Sequence, residues 1–285
     1  MIDVIHGDNV AALRELPDRS FDLIYIDPPF NTGREQKRVA LRTERSDDGD
    51  RVGFKGKRYT SIPLGTMRYA DVFDDYLTFL EPRLREAHRL LTPTGSFFLH
   101  LDHREVHYAK VMLDVIFGRE CFMNEIIWAY DYGARSRTRW SAKHDNILWY
   151  VRDPEHFTFQ LDEADRIPYM APELVGEEKA SRGKTPTDTW WHTIVSPTGK
   201  EKTGYPTQKP LGILERIVRV HSKPGDRLLD FFAGSGSFGD AADRHGRDVV
   251  LVDDNPEAID VMTRRFAGRS VRFRRLGAPQ AKLEC

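Results

Sequence analysis

Two periods alternate along most of the chain. "IDVIH", "FDLIYI", "SFFLHLD", "NEIIWAY", "NILWYV", "RLLD" and "VVLV" are short apolar runs rich in β-branched and aromatic residues, the pattern of strands buried on both faces. "NVAALRELP", "DDYLTFLEPRLREAHRLL", "EVHYAKVMLDVIFG" and "LGILERIVRVH" carry apolar residues at helical spacing, with Gly95 expected to stop the second of them. The chain therefore opens β-α-β. It closes with a helix from near Pro210, then strand, glycine-rich turn, helix, strand, helix and a last strand over "SVRFRR". This alternation predicts an α/β, Rossmann-like, doubly wound and mostly parallel sheet. Two stretches break it. Residues 34–58 are dense in charge without a sustained apolar period, which predicts a solvated loop within a charged interval 34–70. Residues 152–203 are punctuated by prolines at 154, 168, 172, 186 and 197 and hold the pair Trp190 and Trp191, predicting a small irregular segment. The expected organisation is one catalytic domain from 1–151 and 204–285, with 152–203 inserted.

Composition narrows the class without naming a partner. A chain of 285 residues buries a full core, and 43 Lys plus Arg against 44 Asp plus Glu leave net charge silent on nucleic acid or membrane. Cys121 and Cys285 form no redox, disulfide or metal-ligand motif, so no metal site is expected. No signal peptide precedes Met1 and no apolar run is long enough to cross a bilayer, which predicts a soluble, cytoplasmic protein without a membrane partner.

Candidate chemistry concentrates at two turns. "DLIYIDPPFNTG" halts a buried strand at Asp27, because proline has no amide hydrogen and cannot continue a central ladder. In an open parallel sheet that carboxyl end is where ligands bind, although a plain strand-ending turn also explains Pro28 and Pro29. The late turn "GSGSFG" places Gly234, Gly236 and Gly239 in a G-x-G-x-x-G pattern between strand and helix, with Asp253 ending the next strand. Glycines admit close backbone approach, and a carboxylate on the following strand suits a ribose, so an adenosine ligand is expected; tight strand-helix packing is the plainer use of the same glycines. NAD is the first candidate. Counting disfavours it, since 51 residues after Gly234 cannot supply a second mononucleotide half, and an NAD oxidoreductase stays only as the outside alternative. The missing half must come earlier; if the amino-terminal β-α-β completes the sheet, the chain is circularly permuted and the Asp27 turn is expected to meet the glycine turn at one sheet edge.

Asp27, Pro28, Pro29 and Phe30, "DFFAGSGS" and "YPTQKP", in this order, resemble the β-group of amino-methylating DNA methyltransferases that use S-adenosylmethionine. The resemblance spans 1–151 and 204–285. It implies that Asp230, Phe232, Gly234, Ser235 and Gly236 line the methionine and ribose side of the cofactor, that Asp253 holds the ribose hydroxyls, and that Asp8 lies near the adenine. Thr207 and Lys209 would reach the cofactor's carboxylate. Phe231 stands where the family usually has proline and Ser237 where threonine is common.

An exocyclic amine is conjugated to its base and is a poor nucleophile until acceptors localise its lone pair. Asp27 offers one acceptor, a carbonyl held by the stiff Pro28-Pro29 turn a second, and Phe30 a face for a base extruded from the duplex. In the family this chain resembles, an aspartate at the first position of the tetrapeptide usually goes with adenine N6, so the resemblance implies direct transfer to adenine N6 of double-stranded DNA, with cytosine N4 the alternative. Methylation of RNA or protein, and a DNA-binding module that keeps adenosylmethionine without turnover, stay open, as do a homodimer and a cognate restriction system. For DNA contact the stronger stretch is "YGARSRTRWSAKH", where Arg135, Arg137, Arg139 and Lys143 surround Trp140, since guanidinium contacts phosphate or base edges while a ring stacks. The interval 34–58 is the weaker one. Trp190, Trp191 and His192 either serve target recognition or pack the segment 152–203 onto the main domain.

Overall fold

The computed structural model describes residues 1–32, 36–45, 51–52, 58–69, 75–133, 135–196, 199 and 201–277, with the backbone alone between 36 and 69. Strand β1 (Ile2–His6) leads through Asp8, whose carboxylate accepts the Ala11 N–H at 2.9 Å, into helix α1 (Asn9–Arg14) and strand β2 (Phe21–Ile26). Strands β3 (Gln36–Arg45), β4 (Arg51–Val52) and β5 (Arg58–Tyr69) follow, then α2 (Tyr76–Leu90), β6 (Leu91–Leu101), α3 (Val106–Phe117), β7 (Phe122–Ala129) and β8 (His144–Val151). A short α4 (Glu177–Arg182) and β9 (Thr189–Trp191) precede α5 (Leu211–His221), β10 (Arg227–Asp230), α6 (Ser237–Arg244), β11 (Asp248–Asp253), α7 (Pro256–Arg265) and β12 (Val271–Arg275).

Nine strands form one sheet in the order β12-β1-β11-β10-β2-β6-β8-β7-β9, and every neighbouring pair is parallel except the two made by β8. The permuted order follows directly: amino-terminal β1 lies between carboxy-terminal β11 and β12, and β2 pairs with β10 through Leu23–Leu228 and Ile24–Leu229. Leu23, Ile24, Tyr25 and Ile26 are all buried, as a central strand covered on both faces requires. The turns after β10 and β2 are therefore adjacent on one edge.

Three features depart from the sequence reading. The interval expected to be a charged loop carries β3, β4 and β5, an antiparallel sheet in the order β3-β5-β4. Such a ladder needs only backbone pairing and scattered strand formers such as Val39, Thr43, Tyr59 and Ile62, so dense charge hides it from a search for apolar period. Helix α2 ends at Leu90 and β6 begins at once, so Gly95 lies inside a strand. Within 152–203, β9 joins the main sheet by parallel pairing with β7, Trp190 opposite Trp128. Trp190 is buried, its indole N–H donating to the Thr187 carbonyl at 2.9 Å beneath the Arg216 guanidinium, whereas Trp191 is 75% exposed. The same segment is pinned to α5 by Gln160, which donates to the Arg219 carbonyl at 2.9 Å, and by Asp165 on Arg216 at 2.8 Å. It docks through single side chains, which leave no period to read. Among the described residues no helix is long and apolar enough to cross a membrane, and no group of His, Cys, Asp and Glu could hold a metal ion.

Candidate active site

The carboxyl edge opens on a cleft of about 530 Å³, reached by the turns after β1, β2, β10 and β11. Asp230 closes β10; it is buried, and its Oδ1 accepts the Phe232 N–H at 2.9 Å. Burial above all, then the charges of Asp27 and Asp253, push its carboxyl well above the usual carboxylate range. Gly234 takes a φ of +49°, and a Cβ there would stand 3.0 Å from the Tyr205 ring. Its N–H donates to Asp253 Oδ2 at 2.7 Å, while Asp253 Oδ1 accepts the Asn255 N–H at 2.9 Å. Burial outweighs these bonds and moves the Asp253 carboxyl up to about 6. Each oxygen keeps lone-pair capacity for further donors. Ser235 is buried, its hydroxyl 2.9 Å from that of Ser237.

The glycines divide by use. Gly234 lines the cleft; Gly236, with φ +71°, does not, and a Cβ on it would stand 2.8 Å from Met262 Cγ. A Cβ on Gly239 would stand 2.5 Å from Leu251 Cδ1. Tight packing thus accounts for Gly236 and Gly239, while Gly234 is the glycine of the motif that faces the cleft.

At the β2 turn, Asp27 Oδ2 accepts from Lys209 Nζ at 2.6 Å, with the two side chains only 14% and 11% exposed. Asp27 Oδ1 is buried and has no hydrogen-bond partner. The Tyr76 hydroxyl donates to the Pro29 carbonyl at 2.6 Å, and Asn31 anchors the exit of the turn on Glu105 at 2.9 Å. The Lys209 ammonium also lies 4.7 Å from the Phe30 ring centre. Lys209 is thus placed on Asp27, where the sequence suggested a cofactor carboxylate. Thr207 is exposed at the rim, and Gln208 fixes this segment by accepting from Thr203 N at 2.8 Å and donating to the Glu201 carbonyl at 2.7 Å.

Sequence reading missed part of the wall. Phe79, Arg83 and Asn9 line the cleft; the Arg83 guanidinium carbon lies 3.8 Å from the Phe79 ring centre and Arg83 Nε donates to Asn9 Oδ1 at 2.8 Å. Their signal was the spacing of Tyr76, Phe79 and Arg83, which puts two rings and a cation on one helical face. Phe232 packs 6.0 Å from Phe79, and Asp8, at the same end, is 3.8 Å from Arg83. Outside this cleft, the loop between β7 and β8 is exposed. Arg135 is paired with Asp131 at 2.8 Å, Lys143 donates to the Tyr132 carbonyl, and Arg137 and Arg139 are exposed beside Trp140, itself 99% exposed. Arg139 borders a second cleft of about 300 Å³, which Arg104, Tyr130 and Asp145 also line.

Residues 21–264 match the DNA methylase family of N6 and N4 enzymes. Type II methyltransferase M.HpaI of Haemophilus parainfluenzae is 29% identical over 263 residues, covering 92% of this chain and 73% of the relative. DNA adenine methyltransferase YhdJ of Escherichia coli is 28% identical over 276 residues, covering 92% and 82%. Among solved structures, the M1.HpyAVI–SAM complex superposes with a TM-score of 0.60 at 20% identity over 94% of this chain and 100% of that one. The cytosine-N4-specific PvuII DNA methyltransferase superposes with a TM-score of 0.63 at 16% identity over 94% and 87%. With a family match that spans the sheet from β2 to α7, the chain belongs to the N6/N4 DNA methylases.

Proposed function

We propose that this chain transfers the methyl group of S-adenosylmethionine directly to the exocyclic N6 of adenine in double-stranded DNA. The observation that carries the proposal is the state of Asp27: one oxygen is held by Lys209 at 2.6 Å, and the other is buried without a partner at the wall of the cleft that the glycine turn shares. A buried acceptor left unsatisfied costs about 1–3 kcal/mol, a cost that a donor arriving with the substrate removes.

The residues fit the cofactor. The cleft is in the size range of small-ligand sites, the Gly234 backbone lies open beneath Tyr205, and Asp253 has lone pairs left for ribose hydroxyls. Burial and the neighbouring carboxylates hold the Asp230 carboxyl above its usual range, and a ligand carrying a sulfonium and an ammonium would favour its charged form. Bound S-adenosylmethionine supplies an electrophilic methyl group. The chain supplies the rest: Asp27 Oδ1 accepts one amine hydrogen and the Pro28 carbonyl the other, since the Pro29 carbonyl is engaged by Tyr76. With its lone pair localised, the amine nitrogen would take the methyl group in line as the carbon–sulfur bond breaks and the thioether S-adenosylhomocysteine leaves, and the proton lost from the methylated amine passes to water. Phe30, held by Lys209, is the face on which the extruded base stacks. Asp27 acts as an acceptor rather than as a nucleophile, and no cysteine takes part.

The likeness to an adenine methyltransferase supports N6, and the likeness to a cytosine-N4-specific enzyme makes N4 the second reading. Type II relatives support a role in marking DNA beside a restriction enzyme. Arg137, Arg139 and Trp140 are the candidate DNA contacts, with Arg135 and Lys143 already engaged within the loop. Incubation with mixed-sequence duplex DNA and labelled S-adenosylmethionine, followed by mass analysis of the nucleosides, tests the proposal. N6-methyladenine is expected, N4-methylcytosine selects the second reading, and label in neither overturns both.

A further inference from the structure

Beneath the turn of Asp27, Pro28, Pro29 and Phe30, the clamp that would hold the amine, runs a hydrogen-bonded chain of side chains that methyl transfer, as derived above, does not use. The Tyr25 hydroxyl lies 2.7 Å from His100 Nδ1, His100 Nε2 lies 3.2 Å from Asp145 Oδ2, and the Tyr130 hydroxyl donates to Asp145 Oδ1 at 3.1 Å. A carboxylate only accepts, so Nε2–H donates to Asp145, and in the neutral imidazole Nδ1 then accepts the Tyr25 hydroxyl. Burial, and secondarily the charges of Asp27, Asp230 and Asp145, hold that hydroxyl well above its usual range, so it keeps the proton it donates. Burial pushes Asp145 the other way from its partners, but the His100 bond and the charge of Lys209, with Tyr130, keep it below the usual carboxylate range.

The placement is the informative part. Tyr25, His100 and Asp145 stand on β2, β6 and β8, and Tyr130 directly follows β7; these are four consecutive strands of the sheet. The chain therefore crosses the carboxyl edge from one cleft to the other: Tyr25 lines the 530 Å³ cleft, and Tyr130 and Asp145 line the 300 Å³ cleft beside Arg139. On the way, the His100 ring lies 5.9 Å from that of Phe30. His100 follows Leu99, which pairs with Ile26, so it stands beside Asp27 in register. Tyr25 and His100 are essentially inaccessible, and apolar residues would fill such positions without needing matched partners.

We propose that Tyr25, His100, Asp145 and Tyr130 form a positioning relay that fixes Phe30 and the Asp27 turn against the loop between β7 and β8, so that DNA lying along that loop and the amine in the clamp share one frame. The proposal rests on the DNA-methylating reading. In-line transfer needs the amine within about 3–3.5 Å of the methyl carbon, and a misplacement of about 1 Å costs on the order of 100-fold in rate. A broken relay therefore lowers the transfer step while cofactor binding, set by the glycine turn, stays.

Single-turnover methylation of mixed-sequence duplex DNA, with calorimetric titration of S-adenosylmethionine, compares the parent with Tyr25→Phe, His100→Phe, His100→Gln and Asp27→Ala. The relay predicts a rate lowered about 10- to 100-fold in Tyr25→Phe and His100→Phe, with cofactor Kd and half-saturating DNA within about twofold of the parent. Gln donates and accepts as the imidazole does, so His100→Gln should recover part of the rate lost in His100→Phe. Should His100→Phe not fold, Tyr25→Phe decides, since it deletes one oxygen and keeps the ring that stacks 5.3 Å from Phe238. Tyr25→Phe at the parental rate, or variants that weaken DNA or cofactor binding at an unchanged rate, overturn the relay. A parent that methylates no DNA, or Asp27→Ala at the parental rate, overturns the functional reading instead.

Discussion

Two turns meet at the edge of the sheet, one after β10 and one after β2, and each begins with an aspartate on adjacent strands. They are finished in opposite ways. In the first, Asp230 Oδ1 is bonded to Phe232 N, the Gly234 N–H to Asp253, and Ser235 to Ser237, so each of these groups has a partner before any ligand arrives. In the second, Lys209 takes one oxygen of Asp27 and leaves the other buried and unmatched. A matched turn is rigid and holds its remaining lone pairs in place for a ligand, whereas an unmatched acceptor has lower energy once a donor reaches it. The contrast assigns binding to the first turn and chemistry to the second, and each half of that assignment has its own test.

The largest effect should come from Asp27→Ala. It deletes the unmatched acceptor without adding bulk, so the methyl-transfer rate should fall by roughly 10²- to 10³-fold, as for loss of a positioned transition-state hydrogen bond. Cofactor Kd should barely move. Asp27→Asn keeps one oxygen for Lys209 or the amine but not both, so it should fail less completely. A folded Asp27→Ala at the parental single-turnover rate would reduce the β2 turn to a strand ending.

Asp253→Ala strikes the other turn. Loss of the ribose acceptors should cost about 1.5–3 kcal/mol of S-adenosylmethionine affinity, roughly 10- to 150-fold in Kd by calorimetry. Burial moves this carboxyl up to about 6 in the free protein, and ribose hydroxyls donate to its ionised form. Parent affinity should therefore be flat above that pH and fall below it, by up to about tenfold per unit, as protonation removes the acceptor. Asp253→Ala should lack this bend; the same bend in the variant would move its cause to another group.

This division was only partly legible in the sequence. The permuted α/β order, the strand stop at Asp27 and the acid at 253 were written in period and spacing, because a central strand needs an apolar run and proline ends it. The pairing of Lys209 with Asp27 was not, since it joins residues 182 positions apart across the cleft. Nor was the buried position of His100, which looks in sequence like one polar residue in an apolar strand. Strands β3 to β5 were concealed by charge, and β9 by its three-residue length. What stayed hidden depends on tertiary contacts that no local period encodes.

Within the first turn, Gly236→Ala separates packing from binding. A side chain there must adopt φ +71° and place Cβ 2.8 Å from Met262 Cγ, so urea unfolding should show a loss of about 1–2 kcal/mol of stability. Cofactor affinity of the folded variant should stay near the parent's, because Gly236 does not line the cleft. A large loss of affinity at unchanged stability would return Gly236 to the binding surface.

The smallest effect lies in the loop between β7 and β8, where two arginines of like sequence context differ in their partners. Arg135 is committed to Asp131 at 2.8 Å, and a phosphate would have to displace that carboxylate; Arg139 is exposed and borders the second cleft. A cation that contacts one phosphate contributes about 0.9 to the slope of log affinity against log salt. Arg139→Ala should therefore flatten the slope by about that amount, so that a fourfold rise in salt costs the variant roughly three- to fourfold less affinity than it costs the parent. Arg135→Ala should leave the slope close to the parental value, and cofactor affinity should be unchanged in both. Titration of duplex DNA at several salt concentrations measures the two slopes. Equal flattening by both would show that the Asp131 pair opens on DNA, and an unaltered slope in Arg139→Ala would make this loop a solvated face.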